Sequence, residues 1–114
     1  MPDCAFCRIA KKEVNAQVIY EDDLCVAFKD LNPQAPFHAL VIPRRHVTNL
    51  LGATEQDAEI LGHLLLVCNG VAKGAGVAGS GFRVVTNSNA DAGQSVDHIH
   101  FHVLGGRQMG WPPG

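Results

Sequence analysis

The chain reads as short, β-prone apolar stretches interrupted by one long stretch with helical period. Cys4 to Lys12 carries a short helical pattern, with Phe6, Ile9 and Ala10 on one side. Gln17–Tyr20 and Leu24–Phe28 are apolar and predict strands, with the acidic corner Glu21-Asp22-Asp23 as the turn between them. Phe37–Ile42 predicts the next strand, ended by Pro43, which has no N–H for a ladder. Thr54 followed by Asp57 comes close to a capping box. From there Ala58, Leu61, Leu64, Leu65, Cys68, Val71, Ala72 and Ala75 recur at three and four, predicting a helix to about Ala75 that Gly74, Gly76 and Gly79 stop. Phe82–Thr86 and His98–Leu104 predict two further strands around a polar loop, Asn87–Ser95. The tail Gly105–Gly114 is too rich in Gly and Pro for regular structure. Strands separated by hairpin-length breaks, with one long helix inserted, predict an α+β domain with an antiparallel sheet.

Length and charge narrow the function. The 114 residues fit a single domain, 1–114, and a dimer would help a core of that size. A formal net charge of −2, with no basic cluster beyond Arg44-Arg45, argues against nucleic acid as a partner. Small phosphorylated ligands need only local donors and stay open. The longest apolar run, Leu64–Cys68, is too short to span a bilayer, and Met1-Pro2-Asp3-Cys4 carries no signal-like pattern. A cytoplasmic protein without a membrane partner is expected, with its four cysteines as thiols or metal ligands.

The chemistry concentrates in His98-Ile99-His100-Phe101-His102-Val103. On a strand, alternate side chains share a face, so Ile99, Phe101 and Val103 enter the core and the three imidazoles line the other side. At about 3.3 Å per residue, His98 and His102 lie roughly 13 Å apart at Cα, too far to share one metal ion easily. A neighbouring pair could share one. Imidazole is nucleophilic when neutral and can carry a proton near pH 7, so one histidine could attack phosphorus while a neighbour holds phosphate oxygens. A hydrogen-bonded polar stripe or a chelating pair without catalysis is the alternative. The preceding loop offers Asn87, Gly93, Gln94 and Ser95, whose amide, hydroxyl and backbone N–H groups suit an anion. Cys4-Ala5-Phe6-Cys7 is a C-x-x-C pair compatible with zinc or redox chemistry. No thioredoxin-like βαβ unit surrounds it, and a Cys₂His₂ site needs two more ligands.

The segment Gly93–Val103 resembles the motif of the histidine triad (HIT) superfamily, His-φ-His-φ-His-φ with φ apolar. The tail Gly105–Gly114, the segments Tyr20–Asp23, Ala27–Asp30 and Pro33–Pro36, and Val41–His46 resemble its Hint branch. The resemblance implies a HIT-like fold: a five-stranded antiparallel sheet with two helices, joined to a second sheet across a homodimer. It implies hydrolysis of the P–N bond of purine nucleoside 5′-phosphoramidates, such as AMP joined to an amine, through a covalent nucleotidyl-histidine. By position, His100 would be the nucleophile, His102 would contact phosphate oxygens and His38 would orient His100. Asp30 would hold the ribose, Asn87, Gly93 and Ser95 the phosphate and leaving group, and Trp111 would approach the partner's site. Bacterial relatives with the same N-terminal pair bind structural zinc, which implies Cys4, Cys7, His46 and His98 as ligands. Asp97 departs from the family pattern, where an aromatic or apolar residue is usual; a carboxylate there could raise nearby imidazole pKa values.

The remaining candidates are read as structural. Cys25 and Cys68 are small core residues, His63 a core or interface histidine, Arg44-Arg45 a solvated pair. Three functions compete with the phosphoramidase. A dinucleoside polyphosphate hydrolase disagrees with the Hint-like tail. A nucleotide-binding or scaffold module disagrees with an intact triplet. A zinc hydrolase using a metal-bound water would survive loss of His100.

Overall fold

The computed structural model describes residues 4–114, so the first three residues of the expected domain lie outside it. The elements are α1 (Ala5–Ala10), β1 (Val18–Glu21), β2 (Cys25–Lys29), β3 (Phe37–Pro43), α2 (Ala58–Gly74), β4 (Phe82–Val85) and β5 (Phe101–Gly105). The five strands form one antiparallel sheet in the order β1-β2-β3-β5-β4. This is the α+β architecture expected from the pattern. No helix among the described residues is long and apolar enough to cross a membrane.

The period-two pattern sorts the strands' side chains to two faces. On one face Cys25, Ala27, Val41, Phe101 and Val103 meet Leu64, Val67, Cys68, Val71 and Ala72 of α2. On the other, Val26, Phe28, Leu40 and Ile42 meet Phe6 and Ala10 of α1. Thr54 and Asp57 close their capping box on a short 3₁₀ turn, Glu55–Asp57, and α2 follows directly. Gly105 is required where it stands, because a Cβ there would sit 2.7 Å from Val77, in the turn after α2.

Four expectations need correction. β5 begins at Phe101, and His98 to His100 lie outside the ladder, because their backbone bonds elsewhere: Ile99 N–H donates to the Val47 carbonyl (2.6 Å) and the His100 carbonyl accepts from Thr86 Oγ1 (2.8 Å). Leu65, assigned to the buried stripe of α2, is 47% exposed, since the sheet covers less than the full apolar arc. The acidic corner is a junction rather than only a turn. Asp22 accepts from Tyr20 Oη (2.8 Å) and from the N–H groups of Leu24 and Cys25, and pairs with His63 Nε2 (2.7 Å). Burial alone would push the Asp22 carboxyl up, but these partners together hold it well below the usual range. Finally, Arg44 is tied down, while the Arg45 side chain stays exposed to solvent as expected. Arg44 donates to the carbonyls of Asp22 and Ala10 and pairs with Glu21, and Arg45 pairs with buried Asp57. Cys25 and Cys68 are core residues as expected, with burial pushing their thiols up to about 12 and about 11.

Candidate active site and metal centre

β3 and β5 are paired neighbours, which brings His38 and His102 onto the α1 face of the sheet. Ring centroids of His38 and His102 lie 5.1 Å apart, as do those of His100 and His102. Ile99, Phe101 and Val103 are buried on the opposite side, so the alternation holds although the strand starts late. The histidine side is more enclosed than a half-exposed stripe: His98, His100 and His38 are all buried. Phe6 of α1 packs on two of them, its ring edge-on to His100 at 5.1 Å and to His98 at 6.1 Å.

Obligate partners fix the protons on these rings. A backbone carbonyl only accepts, and a backbone N–H only donates. His100 Nδ1 lies 2.7 Å from the His98 carbonyl, so Nδ1 carries the proton and Nε2 keeps its lone pair in the neutral ring. His38 Nδ1 accepts from Gln34 N–H (3.0 Å), which leaves the proton on Nε2. That Nε2–H faces His102 Nδ1 at 2.8 Å, with an Asp30 carboxylate oxygen 3.4 Å away. His102 Nδ1 therefore accepts, and its Nε2–H is a donor. Burial, reinforced by His100 and His38, pushes His102 down to about 4, and burial outweighs Asp30 in lowering His38. Both rings are neutral at pH 7. A lone pair on His100 beside a donor on His102 is the pair of groups that attack on a phosphate ester or amide requires.

His98 serves a different cluster. Its Nε2–H donates to the Pro43 carbonyl (2.8 Å), so Nδ1 presents a lone pair. That nitrogen lies 3.3 Å from Cys4 Sγ and 3.5 Å from Cys7 Sγ, and His46 Nδ1 lies 3.3 Å from Cys7 Sγ. The four ligand atoms all fall within 4.8 Å of one another. Ligands held at about 2.0–2.3 Å from a tetrahedral ion stand roughly 3.5 Å apart, so this Cys₂His₂ donor set fits a zinc-type ion. The Pro43 carbonyl is the outer hydrogen bond that orients such a histidine ligand. Burial and the Cys4 thiol push the Cys7 thiol up, a direction a bound dication reverses. Asp97 is exposed, and burial lowers the His98 pKa, opposite to the rise expected from a neighbouring carboxylate.

The other site residues divide. The structure sets His38 against His102 rather than against His100, the partner the resemblance gave it. Asp30 joins the same group, its other oxygen accepting from Asn32 N–H. In the β4–β5 loop, Gly93 N–H is taken by the Ala90 carbonyl. Gln94, expected to offer an amide donor, has that amide and its N–H fully engaged within the protein. Asn87 and Ser95 side chains, by contrast, have no hydrogen-bond partner among the described residues, and Ser95 is exposed. Trp111 is 83% exposed. Phe6, Thr86 and Asn49 escaped sequence reasoning. Only Phe6 left a signal, lying inside the C-x-x-C pair. A groove of about 990 Å³ between α2 and β1 shares no residue with the histidine site.

A family model described as HIT domain matches residues 11–109. An uncharacterized HIT-like protein of Synechocystis is 51% identical over 112 residues, covering 98% of this chain and 97% of its own. The crystal structure of a HIT family hydrolase from Legionella pneumophila superposes with a TM-score of 0.96 at 45% identity, covering 98% of this chain and 100% of that one. A histidine triad nucleotide-binding protein from Candida albicans superposes with a TM-score of 0.82 at 29% identity, over 96% of this chain and 83% of that one.

Proposed function

This chain belongs to the HIT domain family, and from that premise we propose that it is a hydrolase cleaving the P–N bond of purine nucleoside 5′-phosphoramidates, with His100 as nucleophile. The observation that carries this is the tautomer of His100, whose Nδ1–H is held by the His98 carbonyl so that Nε2 is free to form a bond. His100 Nε2 attacks the α-phosphorus, the P–N bond breaks, and the nitrogen leaves as an amine after taking a proton from water, which the hydrolysis step returns. Water then attacks the nucleotidyl-histidine, releasing the nucleoside monophosphate and restoring His100. His102 Nε2–H, Asn87 and Ser95 stabilise the phosphate oxygens, and Asp30 holds the ribose. The Legionella relative is a HIT family hydrolase and the Candida relative a histidine triad nucleotide-binding protein, which agrees with this assignment.

Cys4, Cys7, His46 and His98 would hold a structural zinc ion, which would tie α1 to the segments that follow β3 and precede β5. The protein would act in the cytoplasm as a homodimer. Outer strands β1 and β4 are the places where a sheet continues into a second copy, and an exposed Trp111 is free to reach the partner's site.

Intact-mass spectrometry after mixing with an AMP–amine phosphoramidate tests the nucleophile. Wild type gains one AMP transiently and releases product; His100→Ala gains none and turns over at least about 10³-fold more slowly. Undiminished turnover in His100→Ala would instead assign the reaction to a metal-bound water.

A further inference from the structure

The loop between β4 and β5 holds a backbone conformation that its residue type disfavours. Asn89 has φ +70° and ψ −175°, a region essentially reserved for glycine. Its neighbours hold it there. Asn89 N–H donates to Gln94 Oε1 (2.8 Å), Gln94 N–H donates to the Asn89 carbonyl (3.2 Å), and Asn49 Nδ2 donates to Asn89 Oδ1 (2.9 Å). Asn49 Nδ2 also donates to Gln94 Oε1 (3.0 Å). Asn49 is only 4% exposed and lies in the segment between β3 and α2, remote in sequence from the loop it grips.

Neither amide can turn over. Gln94 Nε2 faces the carbonyls of Thr48 (2.7 Å) and Val96 (3.0 Å), which only accept. Its oxygen faces Asn89 N–H, which only donates. Asn49 Oδ1 accepts from Leu51 N–H (2.9 Å), so its NH₂ must meet the two loop oxygens. The same segment carries His46 and receives Ile99 N–H at the Val47 carbonyl. One strap, residues 46–49, thus sets the loop in register with the histidines.

We propose that Asn49 is a positioning residue: through Asn89 and Gln94 it fixes the loop that presents Asn87 and Ser95 to the phosphate. This rests on the assignment of that loop to the phosphate. The side-chain hydrogen bonds of Asn49 all go to the protein itself, at Asn89, Gln94 and Leu51, so its loss weakens binding of the phosphate and leaves the nucleoside's own contacts intact.

Asn49→Asp is nearly isosteric and keeps the acceptor for Leu51 N–H, but turns a carboxylate oxygen toward two acceptor oxygens. Calorimetric titration of wild type and variant with AMP and with adenosine, alongside melting temperature, reads the effect. AMP affinity falls ten-fold or more while adenosine affinity changes less than two-fold. Unchanged AMP affinity overturns the proposal, as does an equal loss for both ligands, which marks a merely structural role. A wild type that binds AMP no tighter than adenosine overturns it too, whatever the His100 adduct experiment reports. A phosphate-selective loss without any turnover sinks the hydrolase assignment and leaves the positioning role standing. If Asn49→Asp does not fold, Gln94→Glu, which removes the donors to Thr48 and Val96, is read by the same two titrations.

Discussion

On one face of the sheet, the 17-residue helix α2 covers a continuous apolar cluster that includes Leu64, Cys68 and Ala72 at zero exposure. On the other, the six-residue helix α1 lies over a smaller cluster beside five buried or half-buried imidazoles. The first face is held by area removed from water, at about 25 cal/mol per Å². The second cannot be. A helix of six residues is too short to be stable alone, and buried imidazoles cost free energy unless each polar atom is matched. Its order comes instead from directional contacts: carbonyls on His98 and His100, the Gln34 N–H on His38, and the convergent thiols of Cys4 and Cys7. Apolar packing tolerates small shifts, while a tautomer-fixed histidine does not. The chemistry sits on the face where geometry is specified bond by bond.

Substitutions can break that contrast. Leu64→Ala should have the largest effect on stability, roughly 2–5 kcal/mol from lost burial and the cavity left behind. Turnover per folded molecule should stay near wild type; urea melts with activity normalised to folded fraction check this. A large loss of specific activity would mean that the two faces are mechanically coupled. Cys7→Ser, or a strong chelator on wild type, should come next. Bound metal per chain should vanish and the melting temperature should fall by roughly 10 °C, with protease sensitivity appearing first around α1. Unchanged melting with metal removed would show that α1 is held by Phe6 and Ala10 alone.

The smallest effect is in pH. His38, His98 and His102 all have folded-state pKa values lowered by burial, His102 to about 4. The unfolded chain therefore binds more protons than the folded one between roughly pH 6.5 and 4. The stability they contribute is complete above about 6.5 and is lost as pH falls through that window. His102→Gln should flatten part of this slope in denaturant melts at successive pH values. An unchanged slope would mean that His102 is more solvated than its burial suggests.

His38 and His46 came from the family resemblance, while local pattern alone carried four of the strands and most of the fifth, the length of α2 and the capping box just ahead of it, the split of Ile99, Phe101 and Val103 from the histidines, and the C-x-x-C pair and histidine triplet as candidates. These are legible because period two, period 3.6 and a capping box are properties of neighbouring residues. Tertiary structure decided which imidazole does what. His98 turns to Cys4 across 94 positions of sequence, His38 to His102 across 64, and His63 to Asp22 across 41. It also decided that Gln94 points inward and that Asn49 braces the loop from 40 positions away. A hydrogen bond is set by where two atoms meet in space, and no local period records a meeting between segments that only the folded sheet brings together.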